Sequence, residues 1–120
     1  MYTYVKIWDP YISPDTIKLT SWIPANIDIL ILTDNIADEQ QIKVEATSLK
    51  NRLLIKKGQA QHDRFVLTKG EGWHVGHSLK DFGTKHSRIS KMPSSVDEEN
   101  AFDESWNLSV PVLDNKNPST

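Results

Sequence analysis

The segment Ile27-Asp28-Ile29-Leu30-Ile31-Leu32 restricts the architecture open to this chain more than any other. Its near-continuous apolar and β-branched character, over the length of one strand, fits a strand covered on both faces rather than one with a wet side. Such a strand belongs at the centre of a sheet. The surrounding sequence supplies the other layers. Residues 2–8, aromatic and β-branched and closed by Asp9-Pro10, read as a strand. Ser13 before Pro14 is the arrangement of an N-cap followed by proline at the first helical position, and predicts a short helix to about Ser21. Asp34 can cap the next element, a helix over roughly residues 37–51 whose apolar positions Ile42, Ala46, Leu49 and Leu53 recur at spacings of four, three and four.

Beyond this helix the period shortens to that of strands. Leu53-Leu54-Ile55, Arg64–Thr68 and Trp73-His74-Val75 are expected strands, the last two joined by the turn Lys69-Gly70-Glu71-Gly72. Arg88-Ile89-Ser90 reads as a short edge strand and Glu98–Leu108 as a final helix. The expected fold is α/β, one mixed sheet flanked by helices over residues 1–108, with a polar tail over 109–120 whose end, LDNKNPST at 113–120, frays. At 120 residues, 38% hydrophobic and 25% charged, the chain is the size and composition of one globular domain. It has no cysteine, which removes disulfides, thiol nucleophiles and Cys-ligated zinc, and favours a cytoplasmic setting. No stretch approaches the roughly 20 apolar residues of a membrane span, so no transmembrane segment is expected.

The charge is unevenly placed. All four histidines, His62, His74, His77 and His86, fall between residues 50 and 91 with ten of the fourteen Lys and Arg residues, a formal +7, flanked by segments of −4 and −5. A cationic middle draws in phosphates, nucleic acid or anionic lipid whatever the average charge. Within it, His62 and Arg64 are two apart, so on a strand both project from one face. Arginine can hold two phosphate oxygens at once, and histidine can accept a proton, donate one or attack phosphorus. Gly76 allows close backbone approach, with His77 and Ser78 as further donors, and Lys69 adds positive charge. The alternatives are plainer. His62 could be a core-edge residue satisfied by a carbonyl, His74 and His77 form a zinc-like HxxH without completing ligands, and Ser78 lacks the G-x-S-x-G elbow of a hydrolase. Lys56, Lys57 and Arg52 read equally as a solvated sheet edge. The four tryptophans are scattered, as core residues would be.

The segment HDRF at 62–65 and GHSLKDFGTK at 76–85 resembles a divergent, single-motif branch of the phospholipase D superfamily, whose members are recognised by H-x-K-x4-D-x6-G-S. It is more distantly similar to the C-terminal domain of MIT-domain proteins. The likeness extends loosely upstream through DPYIS and DILILT. It implies a single phospholipase D-like half-domain with His62 as nucleophile and Arg64 as phosphate clamp, needing no cofactor and no metal. It also implies that catalysis would need a homodimer to bring a second His62 to the site. Arg64 replaces the usual lysine, and Lys69 replaces the usual acid, which reverses a charge. The expected function is therefore a weakly or non-catalytic module that binds the phosphate groups of a nucleic acid, phospholipid or nucleotide through His62, Arg64, Lys69, Gly76, His77 and Ser78, as the sensing or targeting end of a larger system. The enzyme alternative is a homodimeric, metal-independent phosphodiesterase or nuclease. A third reading treats the basic face as a dock for an acidic protein or for the chain's own acidic end.

Overall fold

The computed structural model describes residues 3–59, 64–75 and 89–117. In chain order they form β1 (Tyr4–Trp8), β2 (Tyr11–Ile12), α1 (Pro14–Thr20), β3 (Asp28–Thr33), β4 (Asn35–Ile36), α2 (Glu39–Thr47), β5 (Leu53–Lys57), β6 (Arg64–Thr68), β7 (Glu71–Val75), β8 (Ile89–Lys91), α3 (Val96–Asn107) and β9 (Val110–Asp114). Seven strands make one mixed sheet in the order β8-β7-β6-β1-β3-β5-β9, and β2 and β4 pair separately. β1, β3 and β5 run parallel, while β6, β7, β8 and β9 join by antiparallel pairing. The α/β expectation holds: a mixed sheet with helices on both faces.

β3 sits between β1 and β5, buried on both sides, as its apolar run requires. One face carries Val5, Ile7, Ile29, Ile31, Leu53 and Ile55 against Ile17 of α1 and Ile42 and Ala46 of α2. The other carries Trp8, Leu32, Phe65 and Leu67 against Phe102 of α3, with Ala101 and Trp106 packed beside it. α1 begins as its sequence dictates, with Ser13 extended, Pro14 in the first turn and Thr16 Oγ1 accepting the Ser13 N–H at 3.1 Å. α2 is shorter than its apolar stripe. It starts after Asp38 rather than Asp34 and stops at Thr47, because Leu53 belongs to β5. The β6–β7 turn is also tighter than expected, Lys69-Gly70 with Gly70 at φ 79°. Gly72 lies inside β7, where an added Cβ would stand 2.8 Å from Ser95 Cβ.

Within the tail expected over 109–120, residues 110–114 form β9. Residues 110–114 pair with β5, and Asn115 accepts the Leu53 N–H and donates to Ala46 O and Asn51 O. β5 is consequently an inner strand. Lys56 and Arg52 do not guard an edge: Lys56 Nζ donates to Trp106 O over that indole ring, and Arg52 pairs with Asp114. Of the tryptophans, Trp8 is core, whereas Trp22 is 87% exposed.

α3 is held to the sheet by charge as well as by Phe102. Lys6 Nζ lies 2.9 Å from Glu99 Oε2 and 2.8 Å from Asp103 Oδ1, and Tyr4 Oη donates to Glu99 at 2.7 Å. Burial pushes Glu99 up, but hydrogen bonds from Tyr4 and Lys6 outweigh it and hold the carboxyl below its ordinary 4.5. Burial likewise pushes Lys6 down, and Asp103 and Glu99 outweigh it, leaving the amine above its ordinary 10.5. A depressed acid contributes stability above its unfolded pKa and loses it as pH falls through the folded one. A raised amine contributes below its unfolded pKa and loses it as pH climbs through the folded one. Denaturant titrations should therefore show stability falling on the acid side below about pH 4.5, and a shallower fall in Glu99→Gln. Identical acid limbs would remove Glu99 from the account.

Candidate anion site at the carboxyl edge of the sheet

The parallel strands end at Trp8, Thr33 and Lys57 on one edge. Because β6 runs against β1, Arg64 enters the sheet at this same edge, and Val75, its register partner, leaves there. The chain passes from β1 to β3 and β5 on one side, then crosses back to β6 on the other. The β1–β6 junction is thus the point where strand order reverses, with the amino end of the antiparallel β6 set beside the carboxyl end of β1.

Two charged side chains meet at this junction. Asp9, directly after β1, is 0% exposed, and its Oδ1 lies 3.4 Å from Arg64 Nε, whose side chain keeps 24% exposure. Arg64 Nε is itself buried without a hydrogen bond, so the contact is an ion pair by proximity, and solvent reaches the side chain at other atoms. The Tyr11 N–H donates to Asp9 Oδ1 at 3.0 Å. The surrounding main chain is tied down: the Asp9 N–H donates to Leu32 O, the Asp34 and Asn35 N–H groups to Pro10 O, and the Ala37 N–H to Ile12 O. A buried carboxylate costs on the order of several kcal/mol of desolvation unless compensated. Asp9 has that compensation at Oδ1, which accepts the Tyr11 N–H and faces Arg64 Nε, and it has a further interaction besides.

The other anticipated residues divide. Lys69 is exposed at the opposite end of β6, separated from Arg64 by a strand length of about 16 Å. It does not join the cradle. His74 faces the α3 side, its ring 5.4 Å from Phe65, and is likewise apart from Arg64. His62, Gly76, His77 and Ser78 lie outside the described residues, as does the HxxH partner of His74. Among the described residues, no cluster of His, Asp and Glu could hold a metal, and no helix is long and apolar enough to cross a membrane. The cationic middle segment is spread over both edges: Arg52 and Lys69 lie at the amino edge, Arg64 and Lys57 at the carboxyl edge.

Beside Arg64, on the α1 face, an apolar groove of about 630 Å³ runs between α1 and β6–β8, lined by Leu19, Trp22, Val66, Trp73, Val75 and Ile89 among others. Its lining is uncharged and offers no fork for an anion. Asp9 is the site residue that the sequence reading missed. Its signal was an acid placed immediately after a strand, where the Asp-Pro pair marks the stop and also the carboxyl edge. Neither protein-family models nor curated proteins gave a match to this chain.

Proposed function

We propose that this chain is a phospholipase D-like module that binds phosphate groups of an anionic ligand through Arg64, with weak or no catalysis. The observation that carries the reading is the setting of Arg64, an arginine whose side chain is partly exposed at the strand-order reversal and is backed by a fully buried carboxylate. A guanidinium offers a planar fork matched to two phosphate oxygens, and a fork held on rigid strands loses little freedom on binding. Lys69 stands in sequence where the resembled family has an acid. Its distance from Arg64 also keeps it from a phosphate held there, which favours binding over turnover.

Titrations with inorganic phosphate, a nucleotide, a short single-stranded oligonucleotide and vesicles containing anionic phospholipid test the reading and separate the ligand sources. Arg64→Ala is expected to cost about tenfold to a hundredfold in affinity, the equivalent of the ~1.5–3 kcal/mol of a charge-assisted hydrogen bond. Arg64→Lys should retain part of it, because charge survives and the fork does not. Polyanion binding should weaken steeply with salt as counterion release is lost. Equal affinity for wild type and Arg64→Ala would eliminate the site.

A further inference from the structure

We infer that Asp9 is a positioning residue for this anion site, standing as a buried countercharge against Arg64 Nε so that the other edge of the guanidinium is left to the ligand. The inference rests on the anion-binding reading above and adds a second residue to it. Its basis is the geometry at the β1–β6 junction. The Asp9 carboxylate is wholly buried, is fastened by the Tyr11 N–H and stands on main chain bonded to β3, so it lies on the fixed, inner side of Arg64. Contact is through Nε, at 3.4 Å. The two terminal nitrogens lie beyond Nε on the side chain and form a second edge, able to take two phosphate oxygens side by side. An unpaired arginine would have to be ordered each time an anion bound; one already drawn to a buried carboxylate has met part of that cost on folding.

A carboxylate beside an anion site has two opposed effects. As a countercharge it repels the incoming anion and lowers affinity, and as an anchor it raises affinity by orientation. The two make opposite predictions for Asp9→Asn, which keeps the side-chain oxygen that receives the Tyr11 N–H and removes the charge. If anchoring dominates, affinity falls; if countercharge dominates, it rises.

The experiment is a titration with inorganic phosphate, followed by phosphorus NMR, of wild type, Asp9→Asn, Arg64→Lys, Arg64→Ala and the double variant Asp9→Asn/Arg64→Lys, each confirmed as folded by circular dichroism. In the wild-type background Asp9→Asn is expected to weaken phosphate binding about fivefold or more. In the Arg64→Lys background, which has no Nε facing Asp9, the same substitution should leave affinity unchanged or raise it. A purely structural role for Asp9 would lower affinity equally in both backgrounds and would overturn the inference, as would an unchanged or raised affinity in the wild-type background. Wild type that binds no phosphate, or binds it as well after Arg64→Ala, would overturn the anion-binding reading itself and the inference with it.

Discussion

Phe102→Ala should destabilise the fold by about 3–5 kcal/mol, the range for deleting a buried aromatic ring from a core that can only partly collapse. Phe102 is 0% exposed and holds the centre of the α3 face. It meets Trp8 edge-on at 5.7 Å and stacks on Trp106 at 5.6 Å. α3 covers that face of the sheet, so the cavity would be flanked by Leu32, Phe65 and Leu67, which are fixed to strands and cannot close over it. Urea unfolding should show a lower midpoint with an unchanged slope. Trp22→Ala is the control: at 87% exposure its effect should stay within about 0.5 kcal/mol. A Phe102→Ala loss no larger than that of Trp22→Ala would mean that α3 is not docked as described.

Arg64→Ala should cost stability as well as affinity, by about 2–3 kcal/mol. It removes a cationic neighbour from a carboxylate that is 0% exposed. The loss falls short of the ~3–5 kcal/mol of a fully broken buried pair because the Tyr11 N–H still donates to Asp9. Removing the charge should then repair the damage, with Asp9→Asn/Arg64→Ala recovering most of the stability lost in Arg64→Ala. A double-mutant cycle by thermal and denaturant unfolding measures this coupling directly. Simple additivity of the two substitutions would show that they do not interact.

The central part of the fold was legible because local signals there agree with tertiary demands. The β3 run has one solution, Ser13-Pro14 starts a helix wherever it sits, and Arg64–Thr68 alternates between two faces. β9 was not legible. Val110-Pro111-Val112-Leu113-Asp114 contains a proline and adjoins polar residues, and it becomes a strand only because β5 offers an edge more than fifty residues earlier in the chain. The two-residue strands β2 and β4 are likewise set by the meeting of two loops rather than by propensity. In the site, Arg64 stood out through its neighbours in sequence, whereas Asp9 did not, since only the pairing of β1 with β6 brings the two together. The cationic segment misled in one respect. Charges close in sequence on an antiparallel hairpin separate to opposite ends of it, as Arg64 and Lys69 do.

The most direct test of the central claim is where phosphate binds. In nitrogen–proton correlation spectra recorded through an inorganic phosphate titration, the Arg64 Nε–H resonance and the amides of Asp9, Tyr11 and Val75 at the carboxyl edge are expected to shift together and saturate. The amides of Arg52, Lys69 and Lys116, at the amino edge, should stay in place. Shifts confined to the amino edge, with Arg64 Nε–H unmoved, would contradict the account.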